Sequence, residues 1–196
     1  MSDNEILKIL QCNIMEKCRL PPNMIDEKGN KIFNDETTKI RGNKSYIPPK
    51  NWFGIGLTVC QKYEDDIWLG KNNNEGEWCV SYHGINGKNS NMIFQTLGFI
   101  LKSSFKPGFC QMHKDCEDIF HYGQKVGEGI YFTPDIKLTE NYSGKVAING
   151  DSYKVALMVR VKPDKIRVCS CENKAYWVLN GNCDEVRPYR ILFKKC

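Results

Sequence analysis

Apolar residues recur at helical spacing near the start of the chain, where Ile6, Leu7, Ile9, Leu10 and Ile14 share a stripe between residues 4 and 17. Ser2 or Asp3 can cap this helix, and the prolines of CRLPPN (18–23) end it. DEKGNK (26–31) reads as a turn between two short extended pieces, and a second break follows at 41–51. Residues 1–50 therefore read as an N-terminal extension or cap on a domain spanning 51–196. From Trp52 the period shortens. FGIGLTV (53–59) is apolar and β-prone, and EWCVSYHG (77–84) alternates Trp78, Val80 and Tyr82 against Cys79, Ser81 and His83. Ser90 can cap a helix whose stripe is Ile93, Leu97, Ile100 and Leu101. Residues 103–126 then run without periodicity, longer than a compact domain tolerates without purpose, and read as a binding loop or lid. GIYFT, a short helix beginning near Asp135, and strands at 153–161, AYWVLNG and YRILFK complete the chain. Many strands with few helices in this order predict an α+β fold dominated by antiparallel sheet.

Composition narrows the class. A chain of 196 residues is long enough to bury a core without staples. The net charge of +5 is spread over single or paired lysines with no run of like charge, so a solvated basic surface is expected rather than a nucleic-acid footprint. No apolar run reaches the length of a membrane span, and MSDNEILKIL lacks the pattern of a signal peptide. The ten cysteines are then expected to be reduced and mostly buried, in a protein of the cytoplasm or nucleus. Cys12/Cys18, Cys110/Cys116 and Cys169/Cys171 include no C-x-x-C pair, and although Cys110, His113 and Cys116 are close in sequence, spacing alone predicts no metal.

Two features carry candidate chemistry. His83 ends a strand and is followed by Gly84, whose missing side chain lets a ligand reach the main chain. In GEGIYFTPDIKLTENYSG (127–144), Tyr131 and Tyr142 stand eleven residues apart, and Thr139 shares a helical face with Tyr142. If the helical turn packs back on the strand, the tyrosines can wall a slot for a flat heterocycle carrying an amide. Taken alone, the stretch reads more simply as two tyrosines of a half-buried core.

The order of these pieces, with SYHG, a helix, a long loop, GxGIYF, a second tyrosine, VALMVRV and a final strand pair, resembles the catalytic domain of poly(ADP-ribose) polymerases. These are the diphtheria-toxin-like ADP-ribosyltransferases of the His-Tyr-Glu class. The resemblance covers 78–195, or from Trp52 onward, and leaves the first fifty residues unmatched. It implies a split antiparallel sheet and NAD as substrate, with no metal. His83 matches the triad histidine on the adenosine-side ribose, Gly84 the glycine holding the nicotinamide carboxamide, Tyr131 the triad tyrosine, and Tyr142 its partner in the nicotinamide sandwich. Thr139 falls where the family has a carboxamide-bonded serine, and the loop 103–126 would cover the donor. The glutamate does not carry over. Counting back from the last strand puts Tyr176 at its position; Glu185, in DEVRP, is the substitute entered in the triad, with Glu172 the other candidate. The resemblance implies a mono-ADP-ribosyltransferase acting on an acceptor, a protein sooner than a nucleic acid. The alternative is an inactive module of this fold that binds NAD, ADP-ribose or a protein partner. A relative of the RNA 2′-phosphotransferases would need an arginine cluster, and none stands out.

Overall fold

A computed structural model describes residues 1–107, 111–171, 174–181 and 183–196 of the chain. Helix α1 (Asp3–Lys17) begins at Ser2 through a reciprocal cap: Ser2 Oγ accepts the Glu5 N–H at 3.4 Å and the Glu5 carboxylate accepts the Ser2 N–H at 2.6 Å. Its buried residues Leu7, Leu10 and Ile14 face the main core. Helix α2 (Ser90–Ser103) is capped one residue before the expected position, by Asn89, whose side chain accepts the Met92 N–H at 3.0 Å. Ser90 instead accepts the Ala147 N–H at 3.2 Å and ties the helix start to a strand. The two helices touch at Gly98, where an added Cβ would lie 2.9 Å from the Cys18 carbonyl oxygen.

The eleven strands found among the described residues pair antiparallel throughout. They are β1 (Lys31–Ile32), β2 (Lys39–Arg41), β3 (Lys44–Tyr46), β4 (Phe53–Gly56), β5 (Cys79–Gly84), β6 (Ile130–Phe132), β7 (Lys145–Ile148), β8 (Asp151–Val161), β9 (Arg167–Cys171), β10 (Lys174–Leu179) and β11 (Val186–Lys195). The fold is thus α+β with few helices and mostly antiparallel sheet, as the sequence pattern predicts. The main sheet runs β1-β4-β11-β8-β5, with β7 also paired to β8. Strand β8 reads as a continuous apolar run because both its faces are covered. Val155, Leu157, Val159 and Val161 meet the helices on one side. Ala156 and Met158 meet Phe33, Tyr46, Trp52 and Tyr82 on the other. Strand β11 bulges between Pro188 and Arg190, where a proline has no N–H to give the ladder. The break at residue 41 is a two-residue hairpin: Gly42 and Asn43 adopt φ of 56° and 61°, which fits the tight primed turn joining β2 to β3.

A second sheet, β6-β10-β9, lies beside the first. One bridge joins them: Tyr82 and Thr133 exchange main-chain hydrogen bonds of 2.9 and 3.2 Å, and Ser81 Oγ donates to the Thr133 carbonyl at 3.2 Å. Beyond that bridge no further β5–β6 pairing is made among the described residues, so the β-structure splits where β5 ends in His83 and Gly84. No helix of the described residues is long and apolar enough to cross a membrane.

The first fifty residues pack into these same layers. Strand β1 pairs with β4, and Phe33, Tyr46 and Trp52 share a cluster with Tyr82 of β5. The Tyr82 hydroxyl donates to the Ile47 carbonyl at 2.7 Å.

Candidate functional site

The split creates the site. In a strand, the N–H and C=O of alternate residues point to the same edge. Tyr82 turns its own to Thr133, so Gly84 turns its N–H and C=O into the opening between the sheets. Glycine is required here by close approach: a Cβ at residue 84 would stand 2.6 Å from the Tyr142 carbonyl oxygen and 3.0 Å from its Cβ. Helix α3 (Ile136–Thr139), capped by Asp135, and the tight turn Glu140–Tyr142 bring that chain across the end of β5.

His83 is tethered to β6. Its Nδ1 lies 2.8 Å from the Tyr131 carbonyl oxygen. A carbonyl only accepts, so Nδ1 carries the proton and Nε2 is left as an acceptor. The ring packs against Phe105 and Phe132, at centroid distances of 5.2 and 5.5 Å. Desolvation pushes its pKa below the ordinary 6.5, only partly opposed by the Tyr131 hydrogen bond, and the imidazole is neutral at neutral pH.

The Tyr131 phenol donates to the Gly127 carbonyl at 2.9 Å, and burial pushes its pKa up to about 12. Tyr142 is 39% exposed, and its hydroxyl lies 3.0 Å from that of Tyr176. Thr139 is buried and donates to the Asp135 carbonyl at 3.1 Å, so its hydroxyl hydrogen is committed to its own helix. Tyr176 lies on the same face of β10 as Val178, the partner of Tyr131, and occupies the position at which the resemblance calls for a glutamate.

Glu185 is not gathered with these residues. It precedes β11, whose Val186 pairs with Val161, and Val161 pairs with Cys79 at the opposite end of β5 from His83. Its own carbonyl accepts the Lys162 N–H at 2.9 Å. The residue count puts Tyr176 at the expected acid's position and Glu185 in the following turn, and the sheet register sets that turn apart from His83. Glu172 lies outside the described residues, as does Cys110.

Beside Tyr142 a cavity of about 490 Å³ is lined by Met112, His113, Tyr142, Cys171, Lys174 and Tyr176 among others, and no carboxylate appears among the described lining residues. His113 stacks on Tyr176 with centroids 4.2 Å apart and planes 28° apart. The sequence reading weighed this histidine with Cys110 and Cys116 and predicted no metal from their spacing. What the spacing could not show is Cys171: His113, Cys116 and Cys171 place their potential ligand atoms within 4.8 Å of one another, across an interval of 55 residues between the two cysteines.

Comparison with known proteins adds no name: neither the protein-family models nor the curated proteins contain a match to this chain.

Proposed function

We propose that the chain is an NAD-dependent mono-ADP-ribosyltransferase whose donor site lies at the split between β5 and β6. The observation that carries this reading is the main-chain edge of Gly84 that no strand of the described residues pairs, crossed by Tyr142 and joined to Tyr131 through His83. A flat ring with a carboxamide suits such an edge, since the amide can both donate to the Gly84 carbonyl and accept from its N–H. Tyr131 and Tyr142 would flank the ring, and the bare Nε2 of His83 would accept a hydrogen bond from a ribose hydroxyl. In the reaction the bond from the ribose anomeric carbon to the nicotinamide nitrogen breaks. Its electron pair leaves with the pyridinium, which becomes neutral, and positive charge grows on the sugar as in glycoside cleavage. An acceptor nucleophile then bonds to that carbon and loses its proton to solvent or a base. Fixing the leaving group on Gly84 orients the bond to be broken.

A second reading, that the fold binds NAD without cleaving it, is favoured by one observation. On the resemblance, Tyr176 would take the place of the carboxylate that stabilises the sugar cation, and its hydroxyl is engaged by Tyr142. Calorimetry with a nonhydrolysable NAD analogue, run beside chromatographic detection of nicotinamide from NAD, separates the two. Transfer predicts binding and nicotinamide release, with His83→Ala losing about tenfold in affinity for one hydrogen bond removed. Binding without release supports the second reading. If neither the protein nor its His83→Ala and Tyr131→Ala variants bind the analogue, both readings fail.

A further inference from the structure

We propose that His113, Cys116 and Cys171, with Cys169 as the fourth ligand, bind a structural zinc ion that fastens the long loop before β6 to strand β9. The ligands come from two rigid pieces. A turn closed by the Cys116 N–H donating to the His113 carbonyl at 2.9 Å sets His113 and Cys116 three residues apart. Strand β9 sets Cys169 and Cys171 two apart, and therefore on one face. The loop lies against that strand, with Ile119 N–H donating to the Val168 carbonyl at 2.9 Å and the Arg167 guanidinium to the Lys125 carbonyl at 3.0 Å.

The chemistry of the cluster points to a soft, tetrahedral cation. The Cys116 and Cys171 sulfurs lie 2.7 Å apart, and Cys169, on the same face of β9 as Cys171, is buried in the cluster against which both pack. The His113 imidazole brings a ring nitrogen within 4.8 Å of both sulfurs, and its Nε2 is sealed from solvent with no hydrogen-bond partner among the described residues. A buried ring nitrogen left unpaired is costly, and a metal ion would satisfy it. Stacking on Tyr176 fixes the plane of the ring before any metal arrives. Three thiols and one imidazole make a Cys3His set, typical of closed structural zinc and unsuited to calcium or magnesium. Zinc bonded at about 2.3 Å would hold two sulfurs about 3.8 Å apart, so the Cys116–Cys171 pair would open by about 1 Å on loading.

A disulfide between Cys116 and Cys171 is the competing use of the same pair, since a covalent bond needs only about 2.05 Å. It would leave the third thiol and the orphaned imidazole nitrogen without a purpose. The metal accounts for all four groups. Four protein ligands leave no open position, so the ion's role is to hold the loop, and the proposal is independent of the NAD reading.

The test uses the whole protein, purified in reductant without chelator. Elemental mass spectrometry is expected to find about one zinc per chain, since such sites hold zinc tightly at neutral pH. Cobalt(II) replacing it should give the intense visible bands of tetrahedral thiolate coordination. His113→Ala and Cys171→Ser should lower zinc occupancy at least about tenfold, and Cys60→Ser, an exposed cysteine elsewhere, should leave it unchanged. Should the ligand variants fail to fold, the cobalt spectrum of the unaltered protein still decides. Absence of zinc together with absence of a cobalt spectrum after reconstitution overturns the proposal. So does recovery of a Cys116–Cys171 disulfide from the reduced protein by peptide mapping.

Discussion

His83 owes its neutral state to its enclosure by Phe105, Phe132 and the β6 main chain, and that enclosure makes stability depend on pH. Its folded pKa lies below the ordinary 6.5, so between the two values the unfolded chain binds a proton that the folded chain does not. Stability from this residue is therefore fully present above pH 6.5 and falls as the pH drops toward the folded value. One proton sets a limit of about 1.4 kcal/mol per pH unit on this slope. Urea unfolding midpoints measured from pH 7.5 downward should decline for the wild type, and His83→Gln should flatten the decline near pH 6 by up to about that slope. The depressed carboxyl of Asp118 contributes only at far lower pH, as the pH falls below its ordinary 3.8. An identical decline in both proteins would show that His83 is not the group responsible. His83 and Gly84 were legible in the chain because a strand's alternation and a following glycine are local signals. The meeting of His113 and Cys116 with Cys171 was not, because it spans an interval no pattern encodes.

The loop between α2 and β6 is an element in its own right, anchored by buried Phe105 and Val126 at its ends and by polar contacts around Asp118 between them. Ile119, Phe120 and Tyr122 are exposed at 55%, 64% and 97%, whereas Asp118 is buried. The Asp118 carboxylate accepts the Phe120 N–H at 3.0 Å and lies 2.7 Å from His121 Nδ1, with Arg167 of β9 at 4.0 Å. Its N–H donates to the Gln124 carbonyl at 2.8 Å, closing the tip of the loop. Asp118→Ala removes the carboxylate and strands those donors, a loss of about 1.5–3 kcal/mol for hydrogen bonds to a charged group. Local opening should become at least about tenfold more frequent, and trypsin should cut after Lys114 and Lys125 correspondingly faster. Unchanged cleavage would mean that the carboxylate does not govern the loop. The sequence pattern marked this segment as a purposeful loop through its length and lack of periodicity. The strands 167–171 and 145–148 went unmarked, because stretches of five and four residues are too short to establish a period. Helix α2 was readable almost to the residue, since an apolar stripe with a polar cap survives any tertiary context.

At the scale of the whole chain, the first fifty residues are where local reading and the fold part most. Prolines and turns break residues 18–51 into pieces too short to show a period, so they read as an attachment. In the structure those pieces meet the main sheet through main-chain and side-chain contacts. Gly56 N–H donates to Asn30 Oδ1 at 3.0 Å, the Arg190 guanidinium donates to the Gly29 carbonyl at 3.0 and 2.9 Å, and Ile47 accepts from Tyr82. The last contact bears on the site, because Tyr82 is the residue whose pairing with Thr133 defines the split. Helix α1 completes the opposite face with Leu10 and Ile14 at 0% exposure. A chain beginning at Asn51 would therefore expose Ile55 and Leu57 on one side and lose the Phe33 and Tyr46 cover of Tyr82 on the other. Its unfolding should lack the cooperative thermal transition of the full chain, measured by circular dichroism. Leu10→Ala, which leaves every polar contact in place, should instead keep a cooperative transition and lower stability by about 2–5 kcal/mol, the cost of a large-to-small change in a packed core. A truncated chain that melts cooperatively at the temperature of the full chain would make residues 1–50 a separable cap, and the donor-site split would then stand on the sheets alone.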